Sequence, residues 1–204
     1  MPEWQTDAII ISVRPHGEGN GVVSLLTADH GLHAGLVRGV TSRKMRGTVQ
    51  PGNRVRVRWR ARLSEQLGQM QVELTQAVAA RFLDSPMRLA GLASICALLE
   101  GALPEREPHA GLYTGTGALL SLITMDEDDK GWLEGYIKWE LGLLHAAGYR
   151  LALDKCAVSG DTKNLAYVSP KSGGAVGQHH AGQFANRLLA LPRFLGGVAC
   201  PAHD

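Results

Sequence analysis

An α+β protein, a small five-stranded barrel followed by helices, is the class this sequence predicts, and three observations predict it. Five short runs of strand character fill roughly the first 75 residues, separated by glycine-rich turns rather than by helical spacing. From Asp84 onward the apolar residues recur at helical spacing instead. Between the two regimes, Arg54 to Leu63 alternates cation and apolar residue without a break, the pattern of a strand with one buried and one charged face.

The barrel strands follow in order. Ala8 to Arg14 is isoleucine-rich and ends at His16-Gly17-Glu18-Gly19-Asn20-Gly21. That segment is no phosphate loop, since no Gly-Lys-Ser/Thr follows it and the next element reads as a strand. Glycine and asparagine at positive φ in a hairpin turn account for it. Val22 to Thr27 ends at Ala28-Asp29-His30-Gly31, and Leu32 to Arg38 runs into Gly39. A basic loop, Thr41 to Arg46, leads through Gln50-Pro51-Gly52-Asn53 into the arginine strand, and Gln69 to Thr75 alternates once more. Five such strands suit a small closed barrel over residues 1–80, and the OB-fold is the commonest five-stranded barrel that takes oligonucleotides.

Residues 81–204 read as a helical domain. Asp84-Ser85-Pro86 offers an N-cap and a first-turn proline. Met87, Leu89, Leu92, Ile95, Cys96 and Leu99 then give the first helix, broken over Gly101 to Gly111. A second helix covers Leu112 to Met125, and Asp126 to Asp129 form an acidic loop or cap. Trp132, Ile137, Leu141, Leu144 and His145 mark the buried stripe of a third helix, stopped by Gly148. Beyond Leu151 the glycine content obscures any period.

A chain of 204 residues with 45% hydrophobic content buries a real core. Its net charge of +2 hides an asymmetry: residues 1–82 hold eleven Lys/Arg against six Asp/Glu, a net of +5, and the rest ten against thirteen, −3. Cys96, Cys156 and Cys200 are odd in number and far apart, so no disulfide framework is implied. The start carries no basic region with an apolar stretch behind it, and no apolar run reaches membrane-spanning length. A cytoplasmic place with no membrane partner is expected.

The chemistry concentrates between Arg38 and Arg62, where nine Lys and Arg residues occur with no acidic residue among them. Arg54, Arg56, Arg58, Arg60 and Arg62 share one strand face, with Val55, Val57, Trp59, Ala61 and Leu63 on the other. Five cations side by side repel one another unless something anionic and extended crosses them, and a nucleic-acid backbone has that shape. An edge strand charged against aggregation is the alternative, but one or two charges of either sign suffice for that. Arg43, Lys44 and Arg46, with the hydroxyls of Thr41 and Ser42, supply further groups of the kind that contact phosphate without reading sequence. The expected DNA-binding set is therefore Arg38, Arg43, Lys44, Arg46, Arg54, Arg56, Arg58, Arg60 and Arg62. Trp59 falls on the opposite face, so it packs in the core and binding tolerates any sequence.

No catalytic constellation emerges: there is no G-x-S-x-G elbow, no H-E-x-x-H and no carboxylate pair on a helix face. We expect no enzyme, no cofactor and no metal. Cys156, His179, His180, Cys200 and His203 lack the two close ligand pairs of a zinc site. An RNA-binding barrel, or a module whose arginines meet acidic protein side chains, are the alternatives to a DNA-binding one.

Specific residues also carry a resemblance. The run D-A-I-I-I-S-V-R-P-H-G-E-G-N, then V-V-S-L-L-T, then H-A-G-L-V-R-G, resembles the opening of the RecO recombination mediators. The likeness continues through the basic loop, through Gln50-Pro51-Gly52-Asn53 and into the arginine strand. It resumes over Leu151 to Gly174, so it spans nearly the whole chain. The resemblance implies an N-terminal OB-fold followed by a helical domain with a zinc-ribbon-like insertion, here degenerate and falling at 151–187. It further implies a DNA repair and recombination protein that binds single- and double-stranded DNA and anneals complementary strands. The implied partners are RecR and the C-terminal tail of SSB, with RecA loaded indirectly, and the implied place is the nucleoid.

Two departures from the family pattern stand out. Zinc-bearing relatives carry two C-x-x-C pairs, whereas Ser159 stands where the partner of Cys156 would be, and the second pair falls near Gly177 and His180. No zinc is expected. The family also continues with another helix after a region like Leu188 to Leu195, so the helical domain is expected to be trimmed.

Overall fold

In a computed structural model, residues 1–125 and 130–198 are described. The chain packs as two compact units, Met1–Ala147 and Gly148–Asp204.

The first unit begins with β1 (Glu3–His16), β2 (Asn20–Thr27) and β3 (Gly31–Val37), continues through a short helix α1 (Arg43–Thr48), and returns to β4 (Arg54–Arg60) and β5 (Gln69–Gln76). The five strands form a sheet that closes on itself in the order β1-β2-β3-β5-β4. Closure is narrowest between β3 and β5, which pair in parallel at Leu36 and Gln69 alone. β1 is longer than its apolar run predicts because it serves two neighbours. Glu3 to Ile9 pair with β4, while Ala8 to His16 pair with β2 across an irregularity at Ile11.

The isoleucine run is explained by burial on both faces. Ala8 and Ile10 enter the sheet's interior with Val23, Leu25, Val55, Val57 and Trp59. Ile9 and Ile11 point the other way, into a second core with Phe82, Leu92, Ile95 and Leu99. That second core belongs to the helices α2 (Pro86–Ala102), α3 (Ala110–Met125) and α4 (Lys130–Ala146). Ser85 caps α2 by accepting from the Arg88 N–H, with Pro86 in the first turn, as the sequence predicts.

Four local expectations need correction. Thr41 to Arg46 is no open loop: residues 43–48 are helical, and Ser42 Oγ is spent capping the Met45 N–H at 3.3 Å. The arginine strand ends at Arg60, so Arg62 lies in the following turn. Leu63 is accordingly 52% exposed rather than in the core. In α4 the buried stripe is Trp132, Trp139 and Leu143, while Ile137 and Leu144 face out, 38% and 41% exposed. Both stripes have helical period, and the bulkier indoles take the inward one. The acidic run Asp126 to Asp129, and Cys200 with His203, lie outside the described residues.

Two glycines are required where they stand. Gly31, at φ +60°, ends the β2–β3 turn, and a Cβ there would lie 1.9 Å from the Glu107 carbonyl oxygen. Gly52, at φ +87°, makes the turn before β4, and its N–H donates to the Ile10 carbonyl at 2.8 Å.

The second unit holds a four-stranded sheet of β6 (Ala152–Cys156), β7 (Leu165–Val168), β8 (Gly174–Gly177) and β9 (Leu189–Ala190), in the order β6-β8-β7-β9. Strands of two to five residues are too short to show a period, so the sequence hides them. Small apolar residues fill the interior: Ala166 and Ala175 are fully buried beside Cys156, Leu165 and Val176.

Candidate nucleic-acid interface

The alternation in β4 is realised. Val55, Val57 and Trp59 are buried, and Arg56, Arg58 and Arg60 are exposed on the outer face. Trp59 donates its indole N–H to the Leu67 carbonyl at 2.9 Å, which fixes it in the core and not as a stacking platform.

The neighbours of β4 change the electrostatics of that face. Antiparallel pairing sets Asp7 opposite Arg56, Gln5 opposite Arg58 and Glu3 opposite Arg60 on the β1 side. On the β5 side the same arginines face Glu73, Gln71 and Gln69. Arg56 Nε donates to Asp7 Oδ1 at 2.7 Å, and Arg58 Nε donates to Glu3 Oε1. The Asp7 hydrogen bond and charge raise the Arg56 pKa further, with a smaller push from Glu73. Two of the five arginines thus have anionic partners within the fold, which the sequence argument assigned to an external polyanion.

Arg54 leaves the exposed face altogether. It is half-buried, and its Nη2 donates to the Gly117 carbonyl at 2.6 Å and to Ser121 Oγ at 3.1 Å on α3. Arg38, Arg43, Lys44, Arg46, Arg60 and Arg62 are exposed and have no ion-pair partner among the described residues.

Several of these free cations meet. One groove is lined by Arg38, Met45, Arg58, Arg60, Gln69 and Gln71, where the weak β3–β5 seam opens the sheet and α1 overlies it. A second groove shares Arg60 and Gln69 and adds Arg62, Gln66 and Gly68 from the β4–β5 turn. Arg106 holds that turn by donating to the carbonyls of Ser64 and Gln66, the latter at 3.0 Å. The surface is therefore a trough that offers cations and amide side chains beside apolar ones, suited to phosphate oxygens, and among the described residues lining it there is no aromatic ring.

Sequence reasoning missed the acids of β1 and the aromatic cluster behind them. Trp4 is half-buried at the sheet's end, stacked on His30 at 4.2 Å and on Trp59 at 5.6 Å, with His33 edge-on to both indoles. His33 is buried with neither ring nitrogen hydrogen-bonded, and burial first, then Arg106 and His30, lower its pKa to about 4.

The zinc expected of a ribbon-like insertion does not fit the second unit. Cys156 Sγ accepts the Gly177 N–H at 3.3 Å, Ser159 stands at the next ligand position, Gly177 brings no side chain, and His180 is exposed. Among the described residues no three His, Cys, Asp or Glu side chains converge on a metal position. Burial alone would raise the Cys156 thiol, but hydrogen bonds from the Ser159 side chain and from the Gly177, Ser159 and Val158 backbone outweigh it and hold it at about 6.

Fold and surface together define an α+β protein with a closed five-stranded sheet, a cationic trough on it, and helices packed behind. Comparison with known proteins makes this specific. The family model Recombination protein O N terminal matches residues 1–78, and Recombination protein O C terminal matches 83–203. The chain is 51% identical over 197 residues to the DNA repair protein RecO of Rhodospirillum centenum, covering 96% of this chain and 77% of that protein. It is 48% identical to the same-named protein of Rhodospirillum rubrum over 96% of this chain and 78% of that one. For Roseobacter denitrificans the identity is 46%, over 96% and 80%. The chain belongs to the RecO family. Among the described residues no helix is long and apolar enough to cross a membrane.

Proposed function

We propose that this chain is a DNA repair and recombination protein without catalytic activity, which binds single- and double-stranded DNA through the cationic trough and anneals complementary strands. The closed order β1-β2-β3-β5-β4 supports reading the sheet as an OB-fold. The observation that carries the proposal is the set of six exposed cations, Arg38, Arg43, Lys44, Arg46, Arg60 and Arg62, without ion-pair partners among the described residues, three of which (Arg38, Arg60 and Arg62) line two grooves that share Arg60 and Gln69. Such a surface screens two phosphate backbones that otherwise repel, which is the physical requirement for annealing. Arg, Gln and backbone groups position phosphates but read no bases, so binding is sequence-tolerant.

Six contacts correspond to a log K against log salt slope of roughly −4 on single strands, at about 0.7 per phosphate. A salt titration with an oligothymidylate checks this, and a slope near zero would exclude an electrostatic mechanism. Strand annealing of complementary oligonucleotides, measured by fluorescence, tests the second step.

In this reading the protein works with RecR and SSB in the cell's nucleoid and promotes RecA loading onto SSB-coated DNA. A groove of about 680 Å³ between α3 and α4 supports a peptide-binding role. Among the described residues, Leu112, Leu119, Leu122 and Trp139 line it together with His145, and no carboxylate does. An apolar lining of this kind suits a peptide with apolar side chains, and the SSB tail is the peptide expected here. Leu122→Arg is expected to abolish anisotropy-detected binding of that tail peptide while leaving the DNA salt slope intact.

A further inference from the structure

We propose that Glu3 and Asp7 limit and direct the polyanion: they screen the β1 side of β4, so that the strand crosses from Arg60 over β5 to Arg38 instead of running along the arginines. This inference rests on the nucleic-acid reading above. Three rungs of the sheet carry it. At the first, Arg56 lies between Asp7 on β1 and Glu73 on β5, with a carboxylate on each side. At the second, Arg58 faces Gln5 and Gln71 across the sheet but turns its Nε to Glu3. At the third, Arg60 lies between Glu3 on β1 and Gln69 on β5, but Glu3 turns to Arg58, so Arg60 has no ion-pair partner among the described residues.

Screening is therefore continuous along β1 and present on β5 only at Arg56. A phosphate approaching Arg56 meets a carboxylate that already lies 2.7 Å from the guanidinium, and the like charges repel. A phosphate approaching Arg60 from the β5 side meets Gln69 and Gln71, whose amides donate to it, and no carboxylate among the described residues of the groove. Beyond β5 the trough continues to Arg38 and Met45, so cations mark its two ends and glutamines its middle.

A purely structural role for the two acids is a weak alternative. Their side chains are 41% and 58% exposed, and exposed ion pairs contribute little to stability. The register of β1 on β4 is already set by burial of Ala8, Val55, Val57 and Trp59 on the inner face. Removing the two charges is thus tolerated by the fold and read out in binding.

The test is the salt dependence of oligothymidylate binding for the wild-type chain, for the paired variant Glu3→Gln with Asp7→Asn, and for Glu134→Gln. The last removes one exposed acid from α4, away from β4, and controls for the loss of a negative charge elsewhere on the chain. Freeing Arg56 and Arg58 is expected to steepen the slope by about 1.4, two contacts at roughly 0.7 each, and to tighten binding several-fold at low salt. Glu134→Gln is expected to leave the slope unchanged. If the paired variant fails to fold, Glu3→Gln alone, which frees Arg58 between two glutamines, decides the matter with an expected steepening of about 0.7. A wild-type slope near −4 with no steepening in the variants overturns the screening role alone. A flat wild-type slope overturns the nucleic-acid reading and this inference with it.

Discussion

Arg54 Nη2 donates to the carbonyl of Gly117 at 2.6 Å, so the first cation of the arginine strand works inside the protein, fastening the sheet to α3. A Cβ on Gly117 would stand 3.2 Å from the same nitrogen, and glycine there lets the guanidinium reach the helix backbone. Arg54→Ala is expected to cost about 1–3 kcal/mol, the range for deleting a charged partner from a part-buried hydrogen bond. Its oligonucleotide salt slope should match the wild-type chain's. Denaturant unfolding measures the first quantity and a salt titration the second; a shallower slope would return Arg54 to the binding surface.

The free cations of the trough should behave in the opposite way. Arg38→Ala with Arg60→Ala is expected to leave unfolding within about 0.5 kcal/mol of wild type, since neither exposed side chain has an ion-pair partner among the described residues. The slope should flatten by about 1.4 on single strands. Arg56→Ala with Arg58→Ala should flatten it by less, because Asp7 and Glu3 already neutralise that pair.

How far the sequence reaches is clear from β4 itself. Period two correctly separates Arg56, Arg58 and Arg60 from Val55, Val57 and Trp59, because one buried face fixes the pleat. It says nothing of what lies across the strand, and that decides which arginines are free. Glu3, Gln5 and Asp7 form their own alternation with Trp4 and Thr6, a strand signal overlooked because the run holds one large apolar residue. Even recognised, it would not reveal the register that sets Asp7 against Arg56. The helix α1 was hidden for another reason: it has six residues, Gly47 and Thr48 are weak helix formers, Arg43 and Arg46 repel at i,i+3, and only the Ser42 cap supplies a signal.

Asn53 is a second long-range fastener. Its Nδ2 donates to the carbonyls of Gly47 at 2.8 Å and Thr48 at 3.2 Å, and its Oδ1 accepts the Ala79 N–H at 3.1 Å. One fully buried amide thereby ties α1 to the start of β4 and to the link towards α2. Asn53→Ala strands three backbone groups, at about 1 kcal/mol or more each. A loss of roughly 3 kcal/mol in denaturant unfolding is expected. Because α1 carries Arg43, Lys44 and Arg46, weaker DNA binding should accompany it even under conditions where the variant stays folded.

His33 gives the protein an acid sensitivity whose sign is fixed by its burial. The folded state holds it near 4 against an ordinary value of 6.5, so between those pH values the unfolded chain binds the extra proton. Stability contributed by neutral His33 is therefore present above about 6.5, falls as pH drops towards 4, and changes no further below it. Arg106 and His30 are the charged groups that disfavour its protonation. His33→Phe, which keeps an aromatic ring against Trp4 and Trp59, should flatten the fall in melting temperature between pH 6.5 and 4 relative to wild type. Parallel pH profiles for the two proteins would exclude His33 as the source.

The second unit supplies a metal prediction with a constructive counterpart. In the wild-type chain, hydrogen bonds from the Gly177 N–H and from Ser159 occupy the Cys156 sulfur. They satisfy it at neutral pH without a cation, and native mass spectrometry should find no zinc per chain. The surrounding backbone nevertheless brings ligand positions close, with a small shift of the exposed His180. A Cβ built on Gly177, whose φ of −67° any residue adopts, would lie 3.7 Å from Cys156 Sγ and 3.2 Å from His180 Nδ1. Ser159→Cys with Gly177→Cys would complete three thiolates and an imidazole, the donor set of a structural zinc site. The double variant is expected to bind one zinc per chain and to unfold at higher temperature with the metal than without it. Stoichiometric zinc in the wild-type protein would refute the hydrogen-bonded account of Cys156. A double variant that takes none would show that these backbone positions do not converge closely enough to hold a tetrahedral ion.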